Sequence, residues 1–294
     1  MSQMPDTIRQ ALAAIGPHFN PDVLERTRAL YAPLVSTAGG VEEVHDLPYG
    51  SNVRQKLDVY TPSRDGNRPV LVYVPGGGFT GGDKRSDERF YGNLGRWFAR
   101  QGLTVVIVNY RLAPAYGYPA GAEDIRSALA WTWTNIGEYG GNQDQMFLFG
   151  QSAGASHAAS CLFDPMVREA PNQPLGAILA SGVYRMTAET NSPNHLAYFG
   201  KDASKYEARS PITHVATSKV PLLLSLAEFD PIGLSVPTLE LAAAVAARDG
   251  KAPQLFYQQH HNHVSTVLSF DTGDETFGRV ILDFIRTCLS APKG

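Results

Sequence analysis

The chain is poor in cysteine, with two, Cys161 and Cys288, among 294 residues. Both stand in apolar stretches that read as helices, so they are expected as buried free thiols. They offer neither a disulfide framework nor a cysteine metal site. Long apolar runs are missing too, and none approaches the roughly 18 residues of a membrane span. No basic run or stripe occurs and the formal net charge is −3, which argues against nucleic acid as a partner. The opening MSQMPDTIRQ lacks the basic-then-apolar pattern of a secretory signal. Internal repeats and low-complexity tracts are absent as well. These absences leave a soluble protein, expected in the cytoplasm, with a small molecule as its partner.

What is present is ordinary globular chain. Hydrophobic residues make up 43% and charged residues 18%, enough apolar material for a large core. The length suits one α/β domain, residues 1–294, carrying a smaller cap. Residues 7–15 and 21–34 show helical spacing, with Pro21 placed at a helix start after Asn20. VEEVHDLPYG and QKLDVYTP alternate like antiparallel strands. From Pro69 the pattern changes to short continuous apolar runs, PVLVYV, LTVVIVNY, QMFLFG, LGAILASGVY, VPLLLSLAEF and QLFYQQ. Helical stretches separate them, near 87–100, 121–139, from 153, 239–248 and 277–289. Strand alternating with helix implies a mostly parallel sheet covered on both faces. Residues 185–217 break this rhythm. With residues 1–36 they are assigned to a cap over the site, as long inserts in compact domains often are.

Gly150-Gln151-Ser152-Ala153-Gly154 matches G-x-S-x-G between a strand and a helix. A sharp strand-to-helix turn exposes the serine, and glycines two residues either side let neighbouring backbone pass. Ser152 is therefore the expected nucleophile. Pro75-Gly76-Gly77-Gly78-Phe79 follows another strand. Such a loop can bring backbone N–H donors to the oxyanion that forms in acyl transfer. Gly77, Gly78 and Ala153 are the expected donors. Gly76, Gly78 and Gly81 also satisfy the dinucleotide fingerprint, but the strand ending at Asn109 offers no acidic ribose partner. A Walker loop fails because Asp83 follows Gly82 where lysine is needed. No cofactor is expected.

Chains with this serine elbow carry the acid next and the histidine last. Asp230, in AEFDP after a late strand, is the expected acid, with Glu228 as alternative. His260, His261 and His263 follow in HHNHVS, and His263 is the expected base. Three clustered histidines suggest zinc, yet no H-E-x-x-H helix or carboxylate set accompanies them, so no metal is expected.

Taken together, the chain resembles the hormone-sensitive-lipase-like branch of the α/β-hydrolases. The resemblance rests on P-G-G-G-F at 75–79, N-Y-R-L-A-P at 109–114, Y-P-A-G-A-E-D at 118–124, G-Q-S-A-G at 150–154, E-F-D-P at 228–231 and H-N-H-V-S at 261–265. It covers roughly residues 50–290. It implies an eight-stranded sheet, a helical cap, carboxylesterase activity on small to medium acyl esters, and Ser152, Asp230 and His263 as the triad. The branch has histidine where this chain has Pro75. Proline can substitute by stiffening the backbone, at the loss of one N–H donor. An arylformamidase or other amidase is the alternative within enzymes. A ligand-binding protein on the same scaffold is the alternative outside them. Phe79, Tyr184, Tyr198, Phe199 and Phe229 are candidate walls of an apolar substrate pocket. A homodimer is among the assemblies the sequence allows.

Overall fold

The structure, a computed structural model, describes residues 4–167, 173–189 and 192–291. In chain order the elements are α1 (Asp6–Ile15), α2 (Pro21–Tyr31), β1 (Glu42–Pro48), β2 (Lys56–Thr61), β3 (Arg68–Val74), α3 (Gly92–Arg100), β4 (Thr104–Val108), α4 (Ala120–Asn135), β5 (Gly141–Gln151), α5 (Ala153–Phe163), β6 (Gly176–Ala180), α6 (Pro193–Phe199), β7 (Leu222–Phe229), α7 (Ile232–Asp249), β8 (Gln254–Asn262), α8 (Ser265–Leu268) and α9 (Thr276–Ser290).

The strands form one eight-stranded sheet in the order β1-β2-β4-β3-β5-β6-β7-β8. The β1–β2 and β2–β4 pairs are antiparallel, and every pair from β4 to β8 is parallel. Successive side chains of a strand point to opposite faces, which explains the continuous apolar runs. Val70, Val72 and Val74 of β3 join Leu148 and Leu179 on one face, under Ile125 of α4, Ala159 of α5 and Leu241 of α7. Leu71 and Tyr73 join Phe147, Phe149 and Ile178 on the other, under Phe98 of α3 and Phe284 of α9. Each fully buried valine, leucine or phenylalanine of these layers contributes about 1.5–3 kcal/mol relative to exposure.

A third cluster lies apart from the sheet. Ile8, Leu12 and Ile15 of α1 and Val23 and Tyr31 of α2 pack on Val264 and on Leu268 of α8. The N-terminal helices thus rest on the segment that follows His263. Among the described residues, no helix is long and apolar enough to cross a membrane.

Several boundaries differ from the sequence reading. The helix expected from 87 begins at Gly92, because the Asp87 carboxylate accepts the N–H groups of Arg89 and Phe90 and holds a turn there. The helix expected at 239–248 starts at Ile232. Pro237 removes only one N–H near its beginning. Strand β8 continues through His261 to Asn262, where a loop was expected from His261. Segment 185–217 carries α6 and two 3-10 turns, Ala203–Lys205 and Pro211–Thr217. Cys161 is buried and Cys288 partly so, and both are free.

Candidate active site

Ser152 stands between β5 and α5 with φ 55° and ψ −127°, a conformation that non-glycine residues rarely adopt. The glycines around it are needed for contact. A Cβ on Gly154 would lie 2.1 Å from the Val74 carbonyl oxygen, and one on Gly150 would lie 2.6 Å from the Ala155 Cα. Neither position has space for a side chain, so the elbow tightens until Ser152 is presented at the head of α5.

His263 and Asp230 come to Ser152 from the ends of two other strands. His263 Nε2 lies 2.9 Å from Ser152 Oγ, and His263 Nδ1 lies 2.8 Å from Asp230 Oδ1. Asp230 Oδ2 accepts hydrogen bonds from Ser181 Oγ at 2.6 Å and the Ala227 N–H at 2.7 Å. Asp230 and His263 are 4% and 2% exposed, so this line of bonds is shielded from water up to the serine. Gln151 Nε2 donates to the His263 carbonyl at 3.1 Å and Thr266 Oγ1 donates to the same oxygen.

A break in strand register aims His263. Ala227 pairs with Gln258 and Phe229 with Asn262, so β8 spends four residues where β7 spends two. His260 takes up the excess with φ 68°. Bulges of this kind re-aim side chains next to functional sites. The three histidines then reach three different carboxylates. His260 Nδ1 lies 3.4 Å from Glu228, His261 Nε2 lies 3.1 Å from Asp274, and His263 takes Asp230. Glu228 also accepts the His260 N–H at 2.6 Å, which commits it away from His263.

The glycine loop closes the other side. A Cβ on Gly76 would lie 2.9 Å from Ser152 Cβ, so the loop backbone touches the serine. Gly77 and Gly78 have φ 156° and 58°. Among the described residues, the N–H groups of Gly77, Gly78 and Ala153 donate no backbone hydrogen bond. The loop is braced from the end of β4. Tyr110 Oη donates to the Pro75 carbonyl at 3.0 Å, and Asn109 Nδ2 donates to Asp83 at 2.8 Å. Arg111 pairs with the fully buried Asp124 at 2.8 Å, tying the N-Y-R and A-E-D motifs together.

The aromatic residues expected to wall a pocket fall into three places. Phe79, Tyr198 and Phe199 pack against one another, with Phe79 and Tyr198 stacked at 4.8 Å, and all three are buried. Tyr184 belongs to the core beneath the sheet, where its hydroxyl accepts the Gly182 N–H, and it is fully buried. There its ring packs in the core cluster with Leu179 and Ile212. Phe229 ends β7 half-buried. Residues that sequence reasoning missed approach instead. Phe19, between α1 and α2, meets the His263 ring edge-on at 5.0 Å. Asn194 of α6 lies over Gly78, its Nδ2 2.8 Å from where a Cβ would stand. Ser181 and Gln151 brace the acid and the histidine. No periodicity marks Phe19, Asn194 and Ser181, and the serine motif leaves the residue at Gln151 open, because each acts through a contact remote in sequence.

Superposition on solved structures decides the fold. Esterase B from Lactobacillus rhamnosis matches with a TM-score of 0.75 over 97% of this chain and 96% of that one, at 18% identity. The chain has the α/β-hydrolase fold. Residues 57–163 match the BD-FAE family model, a span of the fold that includes the glycine loop and the Ser152 elbow. Esterase LipQ of Mycobacterium tuberculosis is 28% identical over 83% of this chain and 62% of its own length. The probable carboxylic ester hydrolase LipM of the same organism is 31% identical over 61% of this chain and 46% of its own length. The chain thus spans about half to three fifths of the length of these two relatives.

Proposed function

We propose that this α/β-hydrolase is a serine carboxylesterase acting on esters of small to medium acyl groups. The observation that carries the reading is the unbroken hydrogen-bond line from Ser152 Oγ through His263 to Asp230, at 2.9 and 2.8 Å, at the head of α5. The esterases among its relatives support the same reaction class.

In this reading Ser152 Oγ attacks the ester carbonyl while His263 Nε2 takes its proton. The carbonyl π pair moves onto oxygen, and the Gly77, Gly78 and Ala153 N–H groups stabilise that charge. One such donor is worth about 2.7–4 kcal/mol. Collapse breaks the bond to the alcohol oxygen, which receives the His263 proton. Water then repeats the sequence and frees the acid. Asp230, fixed by Ser181 and Ala227, keeps Nδ1 as the donor and steadies the imidazolium. Residues 1–36 and 185–217 act as the cap, through Phe19 and Asn194. The cap segment is modest and aromatic-rich, which supports a preference for short acyl chains, acetyl to hexanoyl.

The test is pre-steady-state hydrolysis of p-nitrophenyl acetate. A burst stoichiometric with protein is expected, and Ser152→Ala and His263→Ala each lower kcat on the order of 10⁴–10⁶ with folding intact. A wild-type protein without turnover, or an active Ser152→Ala, overturns the proposal. Faster cleavage of formanilides than of matched esters would reassign the enzyme as an amidase.

A further inference from the structure

Two residues from outside the sheet approach the Ser152 site, Phe19 at the His263 ring and Asn194 at Gly78. Phe19 touches the His263 ring edge-on, with 74° between the planes, yet is 49% exposed. A half-exposed phenyl ring is not held there by core burial. Its loop is nonetheless fixed. Gly16 closes α1 with φ 71° and its carbonyl accepts the His18 N–H. Asn20 caps α2 by accepting the Val23 N–H at 3.0 Å. Both helices are seated on Val264 and Leu268. On the far side, Asn194 presents an exposed amide beside Gly78.

Proton bookkeeping says which half of the substrate meets Phe19. His263 Nε2 must reach the departing alcohol oxygen within about 2.6–3.2 Å to protonate it. The alcohol moiety therefore leaves past the His263 ring, whereas the carbonyl oxygen points to the glycine loop. We propose that Phe19 is a specificity residue for the leaving group, selecting esters of aromatic or bulky apolar alcohols by ring contact. This rests on the esterase reading above. The acyl group is selected elsewhere, so Phe19 contacts the alcohol only until acylation is complete.

The experiment compares benzyl acetate with ethyl acetate, two esters with the same acyl group and alcohols of similar basicity. In Phe19→Ala the ratio of kcat/KM, benzyl over ethyl, is expected to fall about tenfold, and in Phe19→Leu by less. Inhibition by free benzyl alcohol should weaken in parallel. Breakdown of the acetyl-enzyme, where no alcohol remains, should not follow that ratio. Equal changes for the two esters, or unchanged benzyl alcohol inhibition, overturn the assignment of Phe19 and leave the esterase reading standing. If the wild-type protein cleaves neither these esters nor p-nitrophenyl acetate, the esterase reading itself fails. Thermal unfolding of both variants separates misfolding from either result.

Discussion

His261 and His263 are two residues apart and do different work. His263 reaches Ser152, while His261 bridges Ser265 Oγ at 3.0 Å and Asp274 at 3.1 Å, both buried. Burial by itself would raise the Asp274 pKa. The His261 hydrogen bond and charge, with bonds from Thr276, outweigh it and hold the carboxyl below its usual range. The sign of this shift gives stability above the ordinary carboxylate pKa that is lost as pH falls through the folded value. His261→Ala leaves a buried carboxylate short of a partner. It should cost about 1–3 kcal/mol in urea unfolding at pH 7 but about tenfold or less in kcat. His260→Ala, at a partly exposed bulge, should alter both less. An inactive but fully stable His261→Ala would show that His261 joins the chemistry.

At the scale of elements, the N-terminal helices are built into the site. Asn262 Nδ2 donates to Thr27 Oγ1 of α2 at 2.9 Å, and both residues are fully buried. Asn262 Oδ1 in turn accepts the N–H groups of Val264 and Ser265, which shapes the turn carrying His263. Thr27→Val keeps the shape and removes the acceptor, stranding a buried amide. The expected result is a loss of about 1–3 kcal/mol in stability together with a lower kcat at little change in KM. Leu12→Ala should cost about 2–5 kcal/mol through the cavity it leaves in the same cluster. Chemical denaturation and steady-state kinetics on one preparation check both. A Thr27→Val protein with normal kcat would mean that α2 supports the turn without positioning it.

Across the whole molecule, His157 and Asp46 join Asp274 among the groups whose shifted pKa values make stability depend on pH. His157 of α5 is enclosed by the rings of Phe79, Tyr110 and Tyr198, and its Nε2 has no partner among the described residues. Burial lowers its pKa from 6.5 to about 3. Between those values the unfolded chain binds a proton that the folded one refuses. The contribution is complete above pH 6.5 and declines as pH falls toward 3, by roughly 1.4 kcal/mol per pH unit. Asp46 acts lower: chiefly its hydrogen bond to Lys84 lowers its pKa from 3.8 to about 2, so its smaller, solvent-screened share is lost across that interval. Unfolding free energies at pH 7.0, 5.5 and 4.5, roughly one pH unit or more apart, should fall steadily in the wild type and less steeply in His157→Leu. Equal slopes would mean that His157 takes up its proton inside the fold.

Ser152 could be read from sequence because its signal is local. The strand, the two glycines and the helix that force its backbone all lie within about a dozen neighbouring residues. The apolar runs that became β3 to β7 were legible for a similar reason, since a strand covered on both faces needs no polar position. The order of the motifs admitted His260, His261 and His263 alike, and choosing His263 drew on the family resemblance and on its place further along the expected loop; the strand was expected to end before His261, and the bulge that aims the ring was invisible. A register shift depends on the partner strand, and β7 and β8 are joined through the whole of α7. Tyr184 and Tyr198 read alike as aromatic residues, yet the first packs beneath the sheet and the second stacks on Phe79. Phe19, Asn194 and Thr27 lay in segments assigned to a cap, but nothing in the sequence singled them out. Chain order and local backbone sterics are properties of the sequence by itself, whereas contacts between distant segments exist only after the sheet has folded and the N-terminal helices have come to rest on the segment after β8.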